Sequence, residues 1–328
     1  MRAVVLEEFG GAMGVVEVAQ PEAGPGEVLV RVQASGINPL DLKIRSGNAA
    51  HAKSRLPAVL GLDLAGVVVD VGPGVENFVA GDEVYGLTGG VGQLQGSMAQ
   101  YAAVDARLLA LKPRSLSMTS AAALPLVAIT AWEGLVDRAD VSAGDKVLVH
   151  GGAGGIGHVA VQLARARGAE VFATGSAANL ETIRGFGATP IDYAETTVAE
   201  YVAQYTGGEG FDVVFDTVGG AVLDASFTAV REYTGHVVSA LGWGSHSLAP
   251  LSFRGASYSG VFTLLPMLSG RGREHHGEIL AQVAALVDAG HITPLVHEKV
   301  FGLDEFDAAY AVVEQGRAGG KVIIGVEH

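Results

Sequence analysis

The stretch "VLVHGGAGGIG" packs five glycines into the seven positions from Gly151 to Gly157. A run of β-type residues leads into it, and the alanine-rich, amphipathic "HVAVQLARARG" leads out. A glycine turn between strand and helix lets a pyrophosphate approach the main chain, where N–H groups and the helix dipole stabilise its charge. Gly152, Ala153, Gly154, Gly155, Ile156 and Gly157 are therefore the candidate cradle of a dinucleotide. The bland alternative is a turn that is merely tight. In a chain with 47 glycines the motif alone says little, and its weight comes from the strand before it and the helix after it.

The following strand bears on which dinucleotide binds. An adenosine ribose with free hydroxyls usually meets an Asp or Glu about twenty residues past the glycines. Here "VFATGSAANLE" offers Thr174, Gly175 and Ser176, with no acid before Glu181. A serine can donate a hydrogen bond to a 2′-phosphate that an acid would repel. NADPH is the expected cofactor.

The elements that must position these residues follow from texture. Residues 1 to about 110 are rich in valine and short glycine turns, as in a β-rich domain. "EVLVRVQASGI" alternates as a strand, and "DLAGVVVDVGPGVENFVAGDEVYG" reads as two strands joined through a turn. "MTSAAALPLVAITAWEGLVDRA" has a helical period, with Ser117 or Thr119 as N-cap. From Lys146 strands alternate with helices, which implies a parallel sheet covered on both faces. "EHHGEILAQVAALVDAG" is a late helix, and "GRAGGKVIIGV" a strand returning to the first domain.

Composition narrows the function. Hydrophobic residues make up 49% of the 328, which describes a well-buried globular protein. A net charge of −14 argues against nucleic acid as partner. The apolar stretches read as too short to span a bilayer, so neither a membrane nor a signal peptide is expected. Cysteine is absent, which removes thiolate nucleophiles, disulfides and cysteine-ligated zinc. A cytoplasmic location is the corresponding expectation.

The chain resembles the medium-chain dehydrogenase/reductase superfamily, in its zinc-independent quinone oxidoreductase branch. The resemblance rests on "GPGEVLVRVQASGINPLDLKIRSG", "GLDLAGVVVDVGPGV", "AGDEVYG", "AAALPLVAITAWEGL", "VLVHGGAGGIGHVAVQLA" and "GFGATPIDY", in that order. It implies an α/β protein: a Rossmann doubly wound parallel sheet plus a GroES-like β-rich domain, with the active site in the cleft between them. Expected boundaries are residues 1–120 for the GroES-like part, 121–264 for the NADP-binding part and 265–328 for the return to the catalytic domain.

Departures from the zinc-dependent relatives matter as much. Those carry a cysteine where this chain has Asn38, and Gly-His-Glu where it has Gly61, Leu62 and Asp63. No catalytic metal is expected. Without that Lewis acid, alcohol–ketone interconversion loses its main charge stabiliser. Conjugated acceptors are easier, because hydride delivered to them leaves an enolate-like anion that a few donors can hold. The expected substrate is a quinone or an enone.

The resemblance places Asn38, Asp41 and Lys43 of "NPLDLKIRSG" beside the nicotinamide. Asn38 is read as a hydrogen-bonding group there, against a local role in an Asn-Pro turn. Were the stretch extended, Lys43 would point the same way as Asp41, two positions earlier, and Asp41 would hold its ammonium as an oxyanion donor. The bland reading of Lys43 is a solvated surface lysine. Thr130 resembles the threonine that approaches the nicotinamide ring, against a helix threonine bonding its own backbone. Tyr193 resembles the tyrosine near the 2′-phosphate, and Asn179 stands where the branch usually has a lysine, so the NADPH preference is expected to be modest. Leu241, Phe262 and Lys321 are further cofactor contacts that the resemblance implies. It also implies a homodimer, paired through the apolar edge strand "ASYSGVFTL". Two rivals stay open: an enoyl-thioester reductase, and a cofactor-binding protein with little turnover.

Overall fold

The computed structural model of the chain describes residues 1–316 and 318–328. They form two compact units, one of Met1–Leu126, Thr263–Ala289 and Pro294–His328, the other of Val127–Phe262 and Gly290–Thr293.

The second unit is built on six parallel strands in the order Thr189–Asp192, Glu170–Gly175, Lys146–Val149, Val213–Asp216, His236–Ser239 and Ser257–Gly260. In chain order this is third, second, first, fourth, fifth, sixth, the doubly wound arrangement expected from the sequence. "VLV" and "VVF" are continuous apolar runs because their residues are buried on both faces of the sheet. Leu148, Phe172, Phe211, Val214 and Phe227 form its core. The order reverses between Lys146–Val149 and Val213–Asp216, and in doubly wound sheets ligands bind beyond the carboxyl ends of the strands at such a point.

The first unit is antiparallel where the second is parallel. Glu27–Gly36 is its central strand, pairing with Asp63–Val71 along one edge and with Tyr101–Asp105 and Lys321–Gly325 along the other. The tail strand returns as the sequence implied, its Ile323 opposite Gly36. A smaller sheet joins Met13–Glu17, Arg2–Leu6 and Ala58–Val59.

Two local expectations are corrected. The segment from Met118 is not one regular helix. It runs as helix Met118–Ala121, restarts at Pro125 as helix Pro125–Trp132 and ends in a π-helical turn, Glu133–Arg138, with Ser117 as the first N-cap. Met118–Arg138 is also long and apolar enough to cross a membrane by length and composition, contrary to the sequence reading, yet 67% of its apolar window is buried inside the protein. It is a core helix. The second correction concerns "NPLDLKIR", which is helical (Pro39–Arg45) and not extended. Asn38 at the N-cap, proline at the first helical position and an acid two residues later are a helix start.

Candidate active site

In the second unit, strand Lys146–Val149 ends at the glycine turn and helix Gly155–Ala166 begins after Gly154. The glycines have different causes. A Cβ on Gly152 would lie 2.5 Å from the Ala173 Cβ, and one on Gly157 only 2.0 Å from the Gly151 carbonyl oxygen. Those two glycines are demanded by the protein's own packing. A Cβ on Gly155 would meet Val127 Cγ1 at 3.6 Å, an ordinary van der Waals contact, so the protein's own packing does not demand glycine there. Among the described residues no side chain caps the helix. Its first N–H groups, those of Gly155, Ile156 and Gly157, lack intrahelical partners by geometry, and they fit an anionic pyrophosphate.

The turn is braced from behind. Thr174 accepts from the Gly151 N–H through its Oγ1 (3.2 Å) and from the Gly152 N–H through its carbonyl oxygen (2.9 Å). Buried His150 lies with its Nδ1 3.1 Å from the same Oγ1, while its Nε2 has no partner among the described residues. Burial pushes the imidazole down to about 4, against the pull of Asp216, so His150 is neutral at pH 7. Asp216 itself accepts from Ser239 Oγ (2.7 Å) and from the Val218 and Gly219 N–H groups, shaping the loop after its strand.

At the adenosine end Gly175 is followed by Ser176, which starts the short helical turn Ala177–Asn179. Asn179 Nδ2 donates to Ser176 Oγ at 3.2 Å, leaving the serine hydroxyl proton free to donate outward. Tyr193 is 62% exposed, and its N–H donates to the Gly175 carbonyl at 3.3 Å. Ser176, Asn179 and Tyr193 are thus gathered at one strand end. The register also sets Asp192 beside Gly175, an acid that the reading along one strand missed; its Oδ1 is engaged by the Ala194 N–H. Leu241 follows the carboxyl end of His236–Ser239, and Phe262 that of Ser257–Gly260, with Phe262 packed edge-on to Trp243. Thr130 is buried within Pro125–Trp132.

In the first unit a polar cluster forms around Asp63. Lys321 Nζ lies 2.6 Å from Asp63 Oδ2 and also donates to Asn38 Oδ1. Asn38 Nδ2 donates to the same Asp63 oxygen at 2.9 Å, and the Leu126 N–H to the other at 2.7 Å. Asn38 and Asp63 are 2% and 0% exposed, so the Asn38 amide works far from its own turn. The lysine stem reaches the cluster past Gly36, where a Cβ would lie 2.9 Å from Lys321 Cε and 2.4 Å from the Ala122 carbonyl oxygen.

Asp41 stands beside this cluster and serves the main chain. It accepts from the Asn38 N–H (2.8 Å) and the Gly61 N–H (3.1 Å), tying together the two segments that carry Asn38 and Asp63. Burial pushes its carboxyl up to about 7, opposed by those N–H groups and by Lys321. Lys43 is exposed on the same short helix, and residues two apart on a helix face different ways. The expectation that Asp41 holds the Lys43 ammonium is therefore overturned. Among the described residues no group of three or more His, Asp or Glu side chains is placed to hold a metal ion.

Comparison with known proteins bears on the family. Residues 24–114 match the family described as alcohol dehydrogenase GroES-like domain, and residues 186–324 that described as zinc-binding dehydrogenase. The chain is 37% identical to 2-methylene-furan-3-one reductase of Solanum lycopersicum, over 94% of this chain and 74% of that one. It is 36% identical to the NADPH-dependent alkenal/one oxidoreductase, chloroplastic, of Arabidopsis thaliana, over 99% and 79%. It also matches the spectinabilin polyketide synthase system protein NorB of Streptomyces orinoci at 36% identity, where 94% of this chain spans 13% of that protein. Among solved structures, an alcohol dehydrogenase superfamily protein from Novosphingobium aromaticivorans is 56% identical, with full coverage of both chains and a TM-score of 0.97. The quinone oxidoreductase from Coxiella burnetii is 29% identical over 100% and 99% of the two chains, with a TM-score of 0.84. With relatives matched over nearly its whole length and both constituent folds in place, the chain belongs to the medium-chain dehydrogenase/reductase superfamily.

Proposed function

We propose that the protein is an NADPH-dependent reductase of quinones or α,β-unsaturated carbonyls that works without catalytic zinc. The observation that carries the cofactor half is the uncapped helix start at Gly155, with Ser176 and no acid following the next strand. The acceptor class draws its support from the two plant relatives, whose names specify an enone and an alkenal/one, and from the quinone oxidoreductase of like fold.

The residues present fit the cofactor. Gly154 to Gly157 would hold the pyrophosphate, Ser176, Asn179 and Tyr193 the adenosine phosphate, and Leu241 and Phe262 would lie along the nicotinamide half. When bound, NADPH supplies a hydride for the conjugated acceptor. The protein positions the reactants and stabilises the negative charge left on the acceptor oxygen. An assay of NADPH oxidation against quinones, enals and enones tests the proposal, and lack of turnover across that panel would refute it. Full activity after dialysis against a chelator is the expected outcome for the metal.

A second reading, an enoyl-thioester reductase, is favoured by the match to a segment of a polyketide synthase protein. A phosphorylated carrier would have to approach a chain of net charge −14, which opposes it. Adding a pantetheine thioester to the panel separates the two. We also propose a cytoplasmic homodimer, paired through the sheet-edge strand Ser257–Gly260, whose Tyr258 is exposed.

A further inference from the structure

Two acids lie near the adenosine end of the second unit, and the fold treats them differently. Glu181 faces the Arg184 guanidinium, so its charge is met. Asp192 is left without a counter-charge. Its Oδ1 accepts from the Ala194 N–H at 2.9 Å, and no Lys, Arg or His among the described residues pairs with it.

Register decides where that charge falls. Asp192 ends its strand directly opposite Gly175, and neighbouring strands lie only about 4.8 Å apart. Residues opposite one another project to the same face of a sheet. A Cβ on Gly175 would lie 3.5 Å from the Asn179 Cβ, so Asp192 projects to the face that carries Asn179. The Tyr193 N–H donates to the Gly175 carbonyl and ties the two strand ends together. Asp192 is half-buried, so solvent screens its charge less than that of an exposed carboxylate.

The side chains that would receive an adenosine 2′-phosphate are Ser176, Asn179 and Tyr193: a hydroxyl, an amide and a phenol, with no cation among them. The phosphate brings about two negative charges. It would meet hydrogen-bond donors in front and an unneutralised carboxylate one strand away. NADH lacks that phosphate and escapes the repulsion.

We propose that Asp192 is a specificity-determining residue, whose charge holds the preference for NADPH over NADH below what the Ser176 end alone would give. The inference rests on the cofactor reading of Ser176, Asn179 and Tyr193, and it concerns the second unit alone. An acid at the end of the Ser176 strand itself would exclude the phosphate. Set back by one strand, it weakens binding of the phosphorylated cofactor and lets NADH compete.

The test uses the full chain and reads binding rather than turnover, by fluorescence titration with NADPH and with NADH. Asp192→Asn and Asp192→Ser each remove the charge while keeping a side-chain oxygen for the Ala194 N–H, so the two variants separate the charge from the turn. Each is expected to bind NADPH about fivefold more tightly than wild type at low salt, with NADH affinity within about twofold. The gain should shrink as salt rises from about 0.05 to 0.5 M, a dependence that a purely structural aspartate would not give. An NADPH-to-NADH affinity ratio that is the same in wild type and both variants overturns the proposal. A changed ratio that is indifferent to salt overturns it too. A ratio that shifts as expected, in a protein that oxidises neither nicotinamide with any acceptor, leaves the role of Asp192 standing and refutes the reductase reading instead.

Discussion

At the scale of single residues, two lysines that are far apart in sequence exchange their apparent importance. Lys43 sits in a motif that attracts attention, yet it is exposed and its expected partner turns away. Lys321 lies in an ordinary strand and holds the buried cluster. Lys43→Met is therefore expected to change enone turnover by less than about threefold, a small effect of the size surface charges give, as steady-state kinetics will show. For the cofactor, Ser176→Asp should reverse the preference to NADH by placing a negative charge against the 2′-phosphate. Asn179→Lys should strengthen NADPH binding by about 1 kcal/mol, as fluorescence titration can measure. Asp41 gives a pH signature. Its carboxyl is raised from 3.8 to about 7 in the folded protein, so the native state holds a proton that the unfolded chain releases. Its contribution to stability is complete below pH 4 and declines as pH rises from 4 through 7. Denaturant unfolding of Asp41→Asn and wild type at pH 5 and pH 8 should show that the variant lacks this part of the decline.

At the scale of elements, the two glycines of the cradle separate a tight turn from a binding surface. Gly157→Ala puts a Cβ 2.0 Å from the Gly151 carbonyl and should lower stability by about 1–3 kcal/mol, besides weakening cofactor binding. Gly155→Ala, with its nearest neighbour at 3.6 Å, should leave the melting temperature almost unchanged while NADPH affinity falls at least about tenfold. Equal affinity in Gly155→Ala would mean that the turn is merely tight. These elements were legible because their signals are local: β-branched runs, glycines and an amphipathic period lie within about thirty residues. The Asn38 cap was legible too, but the Asn-Pro pair draws attention as a turn and hides the helix it starts. The Lys321 cluster was not legible. It joins Asn38 to Asp63, 25 residues on, and to Lys321, 283 residues on, through an antiparallel register that no local pattern encodes. Asp192 escaped notice for the same reason, entering beside Gly175 from the neighbouring strand.

At the scale of the whole molecule, the division into a parallel and an antiparallel unit was readable from the change of texture along the chain. The return of Gly290–Thr293 to the second unit was not, since four residues carry no periodicity. The proposed dimer makes a further prediction. Tyr258→Lys puts a charge on the exposed edge strand and should convert the protein to a monomer in light scattering.

The way the first unit is assembled also bears on its birth at the ribosome. The second unit is nearly continuous in sequence and has its strands in hand once synthesis has passed Gly260. The sheet around Asp63 must wait for Lys321–Gly325, so until that strand emerges the nascent chain has an acid destined for burial and no cation to accompany it. Asn38 and Asp63 are therefore committed last although they are made early. A translation-arrested chain ending before Lys321 should protect the second unit from protease while leaving the Glu27–Gly36 strand open to cleavage.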